Sequence, residues 1–436
     1  MPSSISEHQS NDPPSPSNFR IAIVGGGIGG LTAALALATF NPSLAASNIT
    51  VYEQASEYGE IGAGVSLGIQ AARVLQKLGV WEAADAISGH RSSVHRSNRR
   101  WDNDELIVDA PAASSDENVR QLWLHRAELL EVLYNEIWRR ECATLETNKR
   151  VINVEDHGST VSLNFADGTT ASANLVIAYD GIHSVIRSQF AVDKPTYSGR
   201  IAYRGLIPMS AISADWPYSS WTLSWLAPDK HLLVFPISKD RLINVVAFLR
   251  KPESELGGLK ESWKSEAPRE MLEKEYDGWN EMVQKIIHAL PPIISQWKIN
   301  DRELLFQWCY MDGKVVLSGD AAHAMLPQQG SGAGLAIEDA HVLALAVRDY
   351  LANPDVGLAA YTSLYQDTRL PRAQKAQITS RQAAEVYDLR GPGFEGLTFE
   401  ESLPVVREKV VNRMAWVWNS SLEADYEAAK ARACLR

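Results

Sequence analysis

Residues 19–40 read FRIAIVGGGIGGLTAALALATF. The run Ile21 to Val24 is apolar without polar alternation, as a strand buried on both faces requires. Glycines follow at once, and then an Ala- and Leu-rich helix. The next strand signal, NITVYEQ at 48–54, carries Glu53 at its end. Strand, glycine turn, helix and strand make a βαβ unit. Within it Gly25, Gly27 and Gly30 fit GxGxxG. The first glycine permits the turn, the second lets a pyrophosphate approach the backbone, and the third lets helix and strand pack. The helix N-terminus faces the phosphates, and Glu53 is placed to accept hydrogen bonds from a ribose hydroxyl. A dinucleotide site is expected, and this motif alone fits NAD and FAD equally.

Outward from that unit, GIQAARVLQKLGVWEAA (68–84) reads as an amphipathic helix and LWLHRAELLEVLYNEIWRR (122–140) as a longer one. Residues 151–181 read as a meander returning to a buried strand, LVIAYDG. From about Pro195 to Leu304 the texture changes. WTLSWLA, HLLVFPIS and RLINVVAFL are strands, and SKDR turns the last two into a hairpin. SELGGLKESWKSEAPREMLEKEY (254–276) reads as an acidic, solvated helix. KVVLSGD (314–320) then resembles the buried strands of the first region. An α/β fold is therefore interrupted by an antiparallel insertion and resumed, with a mostly helical stretch beyond Asp320.

The 436 residues include 42 Lys+Arg against 53 Asp+Glu, a net charge of −11, which argues against a nucleic-acid surface. Cys142, Cys309 and Cys434 are scattered and odd in number, so neither a disulfide framework nor a metal site is expected. No apolar run reaches the length of a membrane span. The first 18 residues, polar and Ser/Pro-rich, read as a disordered tail rather than a secretory signal, and a cytoplasmic location is expected.

Further motifs follow in order: EIGAG (60–64), HRAEL (125–129), YDGIHSVIR (179–187) and GDAAHAMLPQQGSGAG (319–334). With the glycine turn, this set resembles the single-component flavoprotein aromatic hydroxylases, the group A FAD monooxygenases. Within them, IAYRGLIP, HLLVFPISKDRLINVVAFL and GDAAHAMLP are similar to the salicylate hydroxylase branch. The resemblance runs from about Phe19 to WVWNSSLEADYEAA (416–429). It implies a Rossmann-like FAD-binding domain in three parts (19–90, 120–194 and 306–360). It further implies a mainly antiparallel β-sheet substrate domain (195–305, with an excursion at 91–119) and a helical C-terminus (361–436).

The same resemblance implies FAD as cofactor, NADH or NADPH as transient reductant, and dioxygen and a small phenolic, carboxylated ring as substrates of a monomer or homodimer. Arg126 is expected at the cofactor's phosphate and ribityl region, Asp180 in the Asp-Gly turn, and Asp320 on a ribityl hydroxyl. Pro327, Gly330, Gly332, Ala333 and Gly334 are expected against the isoalloxazine, with a helix dipole aimed at its pyrimidine edge. In the family a flavin hydroperoxide transfers one oxygen to a ring carbon activated by a neighbouring phenolate. With salicylate this gives catechol and carbon dioxide.

Period-2 alternation puts His231, Leu233 and Phe235 on one strand face, a candidate pocket wall. Arg204, in a Tyr-Arg-Gly strand start, is a candidate for binding a carboxylate or phenolate. His323 reads as a packing residue, and Trp221 and Trp225 as core or pocket wall rather than electron-transfer parts. Two departures stand out. Tyr179 replaces a small residue before Asp180-Gly181. Gln328 stands where salicylate hydroxylases read histidine in PHQG or PHHG, and glutamine hydrogen-bonds but does not titrate. Either His231 then helps to activate the phenol, or the substrate is already ionised, or the substrate is not salicylate. Two other readings stay open: a tailoring hydroxylase or dearomatising enzyme of a polyketide phenol, and a flavin-binding protein without hydroxylase activity.

Overall fold

Ile21–Val24 lies near the middle of a six-stranded sheet. Its order is Cys309–Tyr310, Val315–Leu317, Leu175–Ala178, Ile21–Val24, Ile49–Tyr52, Thr144–Glu146. All pairings are parallel except that of the Cys309–Tyr310 edge. The computed structural model describes residues 18–58, 64–89, 94–112, 119–257 and 265–435. Most of the Ser/Pro-rich tail and most of EIGAG lie outside the described residues. Every residue of Ile21–Val24 and Leu175–Ala178 is buried, because helices Ile28–Phe40 and Gly332–Ala352 share one core with them. Each such aliphatic side chain contributes about 1.5–3 kcal/mol. Val315–Leu317 enters this sheet from beyond the insertion, so the interrupted fold is resumed as its buried pattern implied. The meander is also present, as Val151–Asp156, Val161–Phe165 and Thr170–Ala173.

The insertion builds an eight-stranded sheet in the order Glu266–Pro268, Ile293–Asp301, Thr196–Pro208, Leu242–Arg250, Lys230–Ile237, Leu223–Ala227, Val94–Arg100, Leu106–Pro111. Only the Leu223–Ala227 pairing with Val94–Arg100 is parallel. Ser238, Lys239 and Asp240, with φ of 54°, 57° and 59°, turn the expected hairpin.

Register assigns the faces of this sheet. Arg204 lies opposite Val246, Val246 opposite Leu233, Leu233 opposite Ser224, and Ser224 opposite Asn98. Opposed residues share a face, and alternate residues return to it. His231, Phe235, Phe248 and Arg96 therefore stand on the same face as Arg204. The other face carries Tyr203, Trp225, Leu232 and Val245. It is sealed by helices Arg269–Glu275 and Glu281–His288 through Leu272, Val283 and Ile286. Trp225 is thus core, as expected.

Three expected helices are corrected. Residues 68–84 form two helices, Ile69–Lys77 and Trp81–Ile87, broken where Gly79 takes φ +71°. In 122–140 only Arg126–Arg140 is helical. Leu122–His125 is a strand paired antiparallel with Gly64–Leu67, its apolar residues buried against that partner. The acidic stretch 254–276 is interrupted by Gly257 at φ +57° and contains the strand Glu266–Pro268, with helix only at Arg269–Glu275. Its middle, 258–264, lies outside the described residues. Beyond Asp320 the chain is mostly helical, notably Gly332–Ala352, Leu358–Tyr387 and Phe399–Val411. Among the described residues no helix is long and apolar enough to cross a membrane.

Candidate active site

The three glycines of the first turn meet different surroundings. Gly25 has φ +107°, and a Cβ there would lie 2.3 Å from the Tyr179 carbonyl oxygen. At Gly30 a Cβ would lie 1.9 Å from the Gly25 oxygen. At Gly27 it would meet nothing within 4 Å. Gly27 caps the helix Ile28–Phe40, so bare backbone faces open space at a helix N-terminus, the arrangement that receives a pyrophosphate. Glu53 is fixed beside the turn, accepting from Gly26 N at 2.7 Å and Ala55 N at 2.8 Å.

Tyr179, the departure before Asp180, packs into the core. A Cβ on Gly29 would sit 2.5 Å from its ring and one on Gly319 3.1 Å away, so glycines make its room. Its hydroxyl donates to Ala336 O at 3.3 Å. Asp180 accepts from Ile186 N at 3.2 Å through Oδ2, while Oδ1 is buried without a partner. Burial raises its carboxyl pKa, with hydrogen bonds from Ser184 and backbone amides opposing. Arg187 ties this segment to the next. It pairs with Asp193 at 2.7 Å and donates to the carbonyls of Ala321 and Ala322, each at 3.1 Å.

Asp320 stands past the strand end rather than on it. Val315–Leu317 stops, Gly319 turns at φ +55°, and Asp320 opens the one-turn helix Asp320–His323 with its side chain exposed. The turn is held from below, where Asp339 accepts from Gly319 N at 3.0 Å. The same carboxylate meets His323 Nε2 at 2.6 Å and Arg369 Nε at 2.8 Å, all three side chains buried. Burial alone would raise Asp339, but His323 and Arg369 hold it down at about 2. His323 is buried, as a packing residue would be, and its hydrogen bond to Asp339 was not expected. Arg126 opens its helix half-buried; burial lowers its pKa while the Asp320 charge opposes.

Pro327–Gln329 forms a 3-10 turn, Gly330 follows at φ +62°, and the helix begins at Gly332. A Cβ on Gly332 would approach nothing closer than 3.8 Å, and on Gly334 3.6 Å. Ala333 lies between them, half-buried. Gly330 and Gly334, with Gln329 and Ser331, line a pocket together with Ser66, Gly68 and Gln121.

Toward this wall stands the other face of the eight-stranded sheet, covered in part by Leu326 and by Ala384 of the helix Leu358–Tyr387. Arg204 is in the middle of its strand, not at the start, because pairing with two neighbours extends the strand back to Thr196. Its guanidinium lies 4.4 Å over the Trp297 ring, Nη2 donates to Gly64 O at 3.4 Å, and Nε is buried without a partner. Burial, with the Arg126 charge adding, pushes its pKa down to about 9. Phe235 packs with Trp123 and Ile237. His231 stacks on Phe248 at 4.6 Å and places Nδ1 3.1 Å from Asp388 Oδ1. Burial lowers the imidazole pKa and Asp388 opposes, so the ring is neutral near pH 7. Gln328 is 2% exposed, and both atoms of its amide are unpartnered. No motif marked Arg96 or Asp388, whose positions depend on strand and helix partners far away in sequence.

A dinucleotide cradle with an open glycine, a buried unpaired aspartate oxygen, a glycine ladder lining a pocket and a sheet facing it define a FAD-dependent aromatic monooxygenase. Residues 18–379 match the family model described as "FAD binding domain", and the chain belongs to this family of group A aromatic hydroxylases. It is 35% identical to a salicylate hydroxylase of Pseudomonas putida, with 95% of each chain covered. It is 33% identical to a 3-amino-4-hydroxybenzoate 2-monooxygenase of Streptomyces platensis, over 85% of this chain and 89% of the relative. A solved salicylate hydroxylase substrate complex superposes with a TM-score of 0.78 at 29% identity, covering 95% of this chain and 98% of the other. The residues present fit FAD: Gly27 leaves open backbone at a helix N-terminus, Asp180 keeps a buried oxygen without a partner, and Gly330 and Gly334 line a pocket.

Proposed function

We propose that the chain hydroxylates a phenolic ring bearing a carboxylate, with salicylate, converted to catechol and carbon dioxide, as the first substrate to test. The carrying observation is the sheet face toward the glycine wall, where the Arg96 and Arg204 guanidinium groups and the Gln328 amide have buried atoms without a partner and no carboxylate of the described residues is paired with either arginine. Such groups are costly to bury unpaired, and an anionic, hydrogen-bonding ring supplies the missing acceptors. Both relatives named above are hydroxylases of aromatic acids.

Bound FAD, reduced by NADH or NADPH, supplies the oxygen chemistry. The chain's own residues bind, orient and move a proton. Arg204 holds negative charge at the flavin end, beside Arg126. Phe235 forms apolar wall, and Pro327 sets the loop against the ring. Gln328 hydrogen-bonds the ring hydroxyl and cannot take its proton. His231 can: with Nδ1–H donated to Asp388, Nε2 is the accepting nitrogen, and Asp388 stabilises the imidazolium that results.

The test is FAD-loaded protein with NADH or NADPH, dioxygen and salicylate, assayed for catechol and carbon dioxide. One catechol and one carbon dioxide per nucleotide consumed is expected. Nucleotide oxidation yielding only hydrogen peroxide overturns salicylate and turns attention to other phenols.

A further inference from the structure

Buried polar atoms without a protein partner gather at one place on this sheet face, away from Arg204. Arg96 is 7% exposed, and no carboxylate of the described residues pairs with it. Its guanidinium lies 4.7 Å over the Tyr387 ring, Nη2 donates weakly to Gln328 O at 3.5 Å, and Nε has no partner. A second guanidinium, Arg413, comes from the far side. It donates to Thr379 O at 2.7 Å, and its Nε is likewise buried and unpartnered. The Gln329 amide donates to the Thr379 hydroxyl at 3.1 Å, so this arginine is tied to the Pro327–Gln329 turn. The Gln328 amide and the Ser380 hydroxyl add further unpaired atoms. Burial lowers Arg413; Tyr387 opposes this, and the charge of Arg96 adds to it, so the two cations sense each other.

Two guanidinium groups with buried, unpartnered Nε atoms, one bonded to the Gln328 carbonyl and the other joined to Gln329 through Thr379, with no carboxylate of the described residues paired to either, are a receptor for an anion. Resting on the reading above, we infer that Arg96 and Arg413, rather than Arg204, hold the carboxylate of the ring substrate. Gln328, whose backbone carbonyl accepts from Arg96, then meets the hydroxyl of an ortho-hydroxy acid. Arg204 lies four strands away across the sheet, roughly 19 Å at the usual strand spacing, too far for one benzene ring to reach both. Arg204 is accordingly left to the cofactor end, with Gly64 and Arg126.

The experiment titrates FAD-loaded protein, without nucleotide, with benzoate and with the neutral isostere benzamide, following the visible flavin spectrum. The wild type is expected to bind benzoate at least tenfold more tightly. Arg96→Gln removes that preference by roughly tenfold to a hundredfold and leaves benzamide binding alone, while Arg96→Lys restores part of it. Arg413→Gln, at a half-buried side chain, gives the same direction should Arg96→Gln fail to fold. Arg204→Gln keeps the benzoate-to-benzamide ratio. A wild type without preference, a ratio unchanged in both the Arg96 and Arg413 variants, or a ratio lost only in Arg204→Gln overturns the inference. These non-reacting probes read charge recognition alone, so this can fail while hydroxylation stands, and the reverse.

Discussion

Gly27→Ala and Gly30→Ala add the same methyl group three residues apart and should fail differently. Gly27 has φ −74° and ψ −174°, extended backbone open to any residue. The new methyl meets nothing within 4 Å. Stiffening the unfolded chain stabilises by about 0.4–1 kcal/mol, and a poorer helix cap costs about 0.5–1 kcal/mol, so the FAD-free protein should melt like wild type. The methyl does, however, occupy the surface a pyrophosphate must approach. At Gly30 the methyl would sit 1.9 Å from a carbonyl oxygen, so helix Ile28–Phe40 must retreat by roughly 1 Å. Overpacking of that kind costs about 1–3 kcal/mol or more. The assay is thermal unfolding with and without FAD, together with flavin absorbance after gel filtration. A hundredfold excess of FAD over its Kd adds about 2.7 kcal/mol to the wild type. Gly27→Ala should lose that increment alone, and Gly30→Ala should melt low in both states. Full FAD stabilisation in Gly27→Ala would refute the close backbone approach.

Asp320→Ala should empty the protein of flavin on gel filtration while barely moving the melting of the FAD-free form, since the side chain is exposed; wild-type flavin content would remove Asp320 from the cofactor site. Asp339→Asn removes one of the two carboxylates that meet Arg369, Glu338 remaining at 2.9 Å, together with the carboxylate facing His323, at a cost of about 1–3 kcal/mol, and loosens the Gly319 turn. Denaturant melts should show the first effect and flavin content the second, and unchanged values of both would sink the network's role. His95 is held down to about 4 by burial, with Arg96 adding and the Gln121 hydrogen bond opposing. The unfolded chain takes up that proton first, so stability present above pH 6.5 is lost as pH falls towards 4. His95→Gln should flatten this decline by roughly 3 kcal/mol at most, and identical slopes in urea unfolding from pH 7 to 4 would contradict it.

The βαβ unit was readable because its requirements are local: an apolar run, a glycine where a carbonyl presses, an acid at the next strand end. The same holds for the hairpin turned by Ser238–Asp240. Leu122–His125 escaped because its residues run straight into a helix, and only Gly64–Leu67 across from it makes it a strand. Arg96 escaped for a different reason. VHRSNRR looks like solvated surface until a parallel neighbour and the Leu358–Tyr387 helix cover it. The His231–Asp388 contact joins residues 157 apart, and no spacing rule reaches that far. Gln328 and Tyr179 were visible as departures, but the glycines that make room for Tyr179 acquire that meaning only in three dimensions.

The eight-stranded sheet has one face closed by apolar side chains under two short helices, while the other mixes apolar residues such as Val246 and Phe248 with the polar side chains of Arg96, Arg204 and His231. Neighbouring residues along each strand therefore answer to separate demands. A substitution at Arg96, Ser224 or Leu233 falls on one face of the sheet, while Trp225 and Leu232 beside them fall on the other. Chemical taste can then drift one alternate position at a time without the scaffold passing through an unstable ancestor, a route by which a single architecture diversifies across many aromatic acids.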